Sequence, residues 1–114
     1  MMSPMRIARL PISLTLLALT VANANPAHDK LVSMSEANRN ALLARFMQSS
    51  GEACERVTRS FYQGSDKTGS AFWNVMCESG SDFSVMVYNN ATGSTKIVSC
   101  AILKSVGSPC WKRF

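Results

Sequence analysis

Few side chains in this sequence are equipped for chemistry. Four cysteines, Cys54, Cys77, Cys100 and Cys110, are separated by 22, 22 and 9 residues. With no C-x-x-C and no histidine nearby, they suit neither a zinc site nor a thioredoxin-like dithiol, both of which need closely spaced ligands or thiols. An even set fits structural disulfides in an oxidising compartment, with three pairings to choose from. Nucleophilic catalysis needs a nucleophile beside a base, most often histidine. The single histidine, His28, falls in a stretch that reads as an irregular tail. Paired carboxylates are the remaining route to acid–base chemistry, with Asp66, Glu78 and Asp82 as candidates. Glu78 and Asp82 flank a turn, however, and read more simply as solvated turn residues. There is no P-loop, G-x-G-x-x-G or H-E-x-x-H pattern. The reading therefore assigns no catalytic residue, no metal ligand and no cofactor, and keeps a small carboxylate hydrolase as the rival to a binding module.

Positioning falls to the stretch Ala71 to Leu103. Trp73, Val75 and Cys77 alternate with Asn74 and Met76. After Ser79-Gly80-Ser81, Phe83, Val85 and Val87 alternate with Ser84 and Met86. This is a hairpin pattern. Folding about Gly80 sets Cys77 opposite Phe83, Val75 opposite Val85 and Trp73 opposite Val87. Strands are expected over Ala71 to Cys77, Asp82 to Tyr88 and Thr95 to Ile102, the last two joined by the turn-rich Asn89 to Ser94. Pairing Val87 with Val98 and Val85 with Cys100 extends the apolar face, and a neighbouring register with Ile97 in place of Val98 stays open.

Upstream, Ser33-x-x-Glu36 has the form of a capping box for a helix over about Ser35 to Gln48, with Leu42, Leu43, Phe46 and Met47 as its stripe. Ser49-x-x-Glu52 repeats the signal for a second helix over about Gly51 to Tyr62. Cys54, Val57 and Phe61 would share one face of it, and Glu52–Arg56 and Glu55–Arg59 pairs the other. The expected fold is α+β, two N-terminal helices packed on a three-stranded antiparallel meander and stapled by disulfides. Cys54 with Cys77 and Cys100 with Cys110 join adjacent elements; Cys54 with Cys100 and Cys77 with Cys110 is the competing arrangement.

The first segment reads as an address. Arg6 and Arg9, a short apolar centre over Leu10 to Val21 and the ending Ala22-Asn23-Ala24 are the three parts of a secretory signal peptide. The apolar centre is shorter than the roughly 20 residues of a membrane span. The expected organisation is a signal peptide at 1–24 cleaved after Ala24, a flexible mature N-terminus at 25–34 and one domain at 35–114. The mature chain would be periplasmic or secreted, with no stable membrane span. Removing Arg6 and Arg9 leaves ten basic against seven acidic side chains, about +3. A surplus that mild does not point to nucleic acid.

With Trp73, Val75, Val85 and Val87 buried on one face, Phe72, Met76, Met86, Tyr88 and Ile97 are expected on the other. An apolar set there needs a cover. The first helix or a partner, either an exported protein or a second copy of this chain, would supply it. Trp111-Lys112-Arg113-Phe114 reads as a tail held by Cys110, with its charges in water, rather than as a basic-aromatic contact for an anionic partner.

Two helices followed by W-x-V-x-C-x-x-G-x-x-F-x-V-x-V and then Thr92-Gly93 before a third strand resemble the small extracytoplasmic PepSY-type module. They also resemble short cysteine-containing exported proteins of bacteria. The PepSY resemblance covers about Gly51 to Leu103. It implies a helix on a three-stranded antiparallel sheet and binding or inhibition of exported enzymes, with no catalytic residues to carry over. A fainter similarity, C-x-x-G-x-x-F-x-V, is to periplasmic lysozyme inhibitors, which are larger β-barrels.

Overall fold

The computed structural model describes residues 25–114; the expected signal segment, 1–24, lies outside the described residues. The chain is α+β, with a four-stranded antiparallel meander in the order β1-β2-β3-β4. Helices α1 (Pro26–Ser33) and α2 (Glu36–Ser49) precede β1 (Val57–Ser65), β2 (Ala71–Cys77), β3 (Asp82–Val87) and β4 (Thr95–Ser99), and α3 (Cys100–Ser105) follows.

The stretch expected to be a flexible tail is helix α1. Asn25 caps it, its side chain accepting from the His28 N–H, and Pro26 opens the first turn, where a missing N–H costs nothing. The Asn25 Nδ2 also donates to the carbonyls of Gly69 and Val87 at 2.9 and 3.1 Å, pinning the helix to the sheet. Helix α2 forms close to its expected bounds. Its cap is Ser35, which accepts from Asn38 N–H, rather than Ser33, whose hydroxyl donates to the Lys30 carbonyl.

The second expected helix is absent. Residues 57–65 form edge strand β1, and Cys54 lies in the loop before it. Val57, Thr58, Phe61 and Tyr62 are β-branched or aromatic, residues that suit a half-buried pleated surface better than a helix. Pairing with β2 satisfies their backbone groups, which outweighs the few tenths of a kcal/mol that helical charge pairs offer. Arg56 instead meets Glu78 across a surface gap of 3.6 Å. The register of β1 on β2 shifts between Val57 and Arg59 and again between Tyr62 and Gly64. Such bulges bend an edge strand and discourage edge-to-edge pairing.

In the first expected hairpin, Trp73 faces Val85 and Val75 faces Phe83, two residues from the expected register. Gly80, at φ +96°, closes the turn instead of centring it, its N–H donating to the Cys77 carbonyl. The chain therefore folds about Ser79. A slip of two preserves the faces, because side chains alternate with period two. On β4, Val85 meets Ile97 rather than Cys100, and Val87 meets Thr95 rather than Val98 or Ile97. The strand stops at Ser99, whose hydroxyl accepts from Ile102 N–H and so caps α3, turning Cys100 to Ile102 into helix.

The inner sheet face carries the core. Leu31 of α1 and Leu43, Ala44 and Met47 of α2 pack with Ala71, Trp73, Val75, Val85 and Val87. The disulfides are Cys54–Cys77 and Cys100–Cys110. The first ties the loop before β1 to the end of β2 inside the core. The second folds the C-terminal segment back along α3.

Candidate functional site

The outer face of the sheet is neither closed core nor polar surface. Phe72, Met76, Met86 and Val98 are half-buried there, while Asn74 and Ser84 are buried. Two late elements cover it in part, α3 and the segment after Cys110. Trp111 donates from Nε1 to Asp82 Oδ2 at 2.8 Å and lies under the Arg59 guanidinium at 4.6 Å. The Phe114 N–H donates to the Gln63 carbonyl at 3.2 Å, and its ring sits edge-on to Phe72 with centroids 5.3 Å apart. Gly64, at φ +147°, makes room for this ring: a Cβ there would lie 2.6 Å from it.

Between Phe114 and α3 the cover leaves a cleft of about 290 Å³. Phe72, Met86 and Val98 form its apolar floor and Leu103 and Phe114 its walls. Ser84 opens onto it, and Lys96 stands at its edge. Among the described residues, three of the four exposed large apolar side chains, Ile102, Val106 and Phe114, belong to α3, its C-cap and the segment after Cys110.

Of the five residues expected on this face, Phe72 and Met86 line the cleft. Met76 shares the face but lies toward the other end of the sheet, paired with Arg59 and Asp82. Tyr88 lies just beyond β3, in the turn that its N–H closes onto the Ser94 carbonyl. Ile97 is corrected to the inner face, opposite Val85 and packed against the core. A third strand three residues out of register explains that error, since an odd shift exchanges faces. The first of the expected covers, the helix carrying Leu42, Phe46 and Met47, does not take this place, because α2 lies on the inner face. The sequence pattern sets Leu103 just past a strand end and Phe114 in a solvated tail. The aromatic W-K-R-F ending beside a cysteine was the available signal for the second.

The carboxylates do not converge. Asp66 sits in the β1–β2 turn, where its Oδ1 accepts from the N–H groups of Thr68 and Ser70 and from the Thr68 hydroxyl. The Thr68 hydroxyl, with the backbone donors, holds this carboxyl below the usual range. Glu78 and Asp82 flank the turn at the other end of β2, engaged with Arg56 and Trp111. A general acid needs a raised pKa, and Asp66 is shifted the opposite way.

His28 is packed on the sheet, not in a tail. Its Nδ1 accepts from Trp73 Nε1 at 2.9 Å, and its ring lies 4.5 Å from that of Tyr62. Burial pushes its pKa below the ordinary value against a smaller opposing pull from Asp29. With Nδ1 engaged as an acceptor on an indole, this histidine anchors α1. Among the described residues no group of three His, Cys, Asp or Glu side chains is arranged to hold a metal.

The fold and the cleft define a disulfide-stapled α+β domain with a small apolar recess on its outer face. No protein-family model matches the chain, and neither a curated protein nor a solved structure matches it at a significant level.

Proposed function

We propose that this chain is an exported, non-enzymatic binding module that engages its partner through the outer sheet face. The observation that carries the reading is the recess between Phe72, Met86 and Phe114, left open where a small domain would be expected to close its core. Its rim of exposed apolar side chains on α3 and at Phe114 supports a contact surface. Two disulfides accord with an oxidising compartment. Together with the signal-like first segment, they favour cleavage after Ala24 and a periplasmic or secreted product. The resemblance to PepSY-type modules supports the same class, with an exported protein or a second copy as partner, although this sheet has four strands.

Met86→Asp tests the reading. The variant should keep its circular dichroism and both disulfides while losing self-association in sedimentation velocity, or losing partners that co-purify with the wild-type chain under mild conditions. A variant that fails to fold would make the face internal core. A folded variant with unchanged association would remove the face as the contact.

A further inference from the structure

We propose that the outer-face cleft is a binding site for a small amphiphilic carboxylate, of the size of a medium-chain fatty acid. The inference rests on the outer face being the contact surface and names what enters it. Phe72, Met86, Val98, Leu103 and Phe114 offer apolar surface on floor and walls, so the body of the ligand must be apolar. At about 290 Å³ the cleft stands near the low end of small-molecule pockets, roughly 300–1,000 Å³. A short acyl chain or a single ring matches that volume.

The polar side of the site fixes the head group. Lys96 is the one charged residue lining the cleft. No acid accompanies it there, and among the described residues the only ion pair is Arg56–Glu78. The cation is therefore available to an anion. Ser84, more than nine-tenths buried, opens onto the same space. Its hydroxyl can donate, so the residues lining the cleft include a neutral donor as well as the Lys96 ammonium. A carboxylate accepts from both a hydroxyl and an ammonium, and such charge-assisted bonds are the stronger kind. A neutral alcohol of equal length would fill the apolar space but gain little from Lys96.

The test titrates the disulfide-bonded full chain with octanoate and, in parallel, with octan-1-ol, following methyl resonances by NMR. Saturable octanoate shifts confined to Met86, Val98 and Leu103 are expected. Lys96→Gln, a change at an exposed position, should weaken octanoate roughly tenfold, the scale of one hydrogen bond to a charged group, and leave octan-1-ol unaffected. Non-saturable or dispersed shifts, or equal octanoate affinity in Lys96→Gln, would overturn the site. Failure of octanoate alongside association that still depends on Met86 overturns the carboxylate assignment alone. Failure of both overturns the outer-face reading as well.

Discussion

The indole N–H of Trp73 donates to Nδ1 of His28 across 2.9 Å, joining the middle of β2 to α1. An indole nitrogen only donates, so Nδ1 must keep its lone pair and the neutral ring carries its proton on Nε2. Protonating Nδ1 replaces an acceptor with a second donor facing the indole. The charged groups around the ring do not reverse this. Asp29 pulls the pKa upward, but less than burial lowers it. Arg39 lies over Trp73 at 5.1 Å, and Asp66 and Lys67 line the polar recess beside His28.

A pH dependence with a definite sign follows. The folded-state pKa of His28 is depressed, so its contribution is fully present above the ordinary histidine value, about 6.5, and is lost as pH falls through the folded value. Urea unfolding at pH 8 and pH 5 should show the wild type losing on the order of 1 kcal/mol from this bond. His28→Phe should show a smaller pH response over that interval. An equal response in both proteins would exclude His28 as its source.

How much of this was legible in the sequence depended on whether local pattern and tertiary need agreed. Trp73, Val75, Val85 and Val87 alternate cleanly and are buried, so their face was readable even with the register off by two. Residues 51–62 carried both a helical charge pattern and strand-forming side chains, and only the unpaired edge of β2 decides between them. Asn25 was unreadable as an anchor, because its two long-range carbonyl partners, Gly69 and Val87, exist only once the sheet has formed. The cleft was half legible for a similar reason. Phe72 and Met86 follow from strand alternation, whereas Leu103 and Phe114 arrive by way of a helix and a disulfide-held segment that periodicity does not report.

The two disulfides should separate experimentally into a core tie and a cover tie. Each closes a loop for which chain entropy alone gives about 3 kcal/mol. Cys54 and Cys77 are both buried among core side chains, so Cys54→Ala/Cys77→Ala adds lost packing to that entropy and should lower stability the more. Cys100→Ser/Cys110→Ser should leave the α1–α2 packing intact while freeing the segment that seats Trp111 and Phe114. Hydrogen exchange checks this. Protection should fall around Phe72 and Met86 in the second variant and stay native-like in α2.

Asn74 is fully buried on the outer face, opposite Ser84, and neither of its amide atoms has a hydrogen-bond partner. A buried polar group in that state costs about 1–3 kcal/mol. Asn74→Leu, of similar size, is therefore expected to raise the denaturation midpoint. A fall of more than about 1 kcal/mol would mean that the amide does find a partner in solution, such as an ordered water.

Gly64 and Phe114 provide the most local test of the cleft. An alanine at position 64 meets two obstacles, a φ of +147° that side chains rarely adopt and a ring 2.6 Å from the new Cβ. The backbone strain cannot be relieved without disturbing β1, whereas the ring can move, because Phe114 is 70% exposed. Gly64→Ala should then fold, lose roughly 1–2 kcal/mol to backbone strain, and lift Phe114 from Phe72. Phe114→Ala removes the same edge-on contact with no strain. In the double variant the two costs should fall short of their sum, since the displaced ring is already absent. Full additivity in urea unfolding would show that Phe114 does not rest on Gly64, and the wall of the cleft would have to be redrawn.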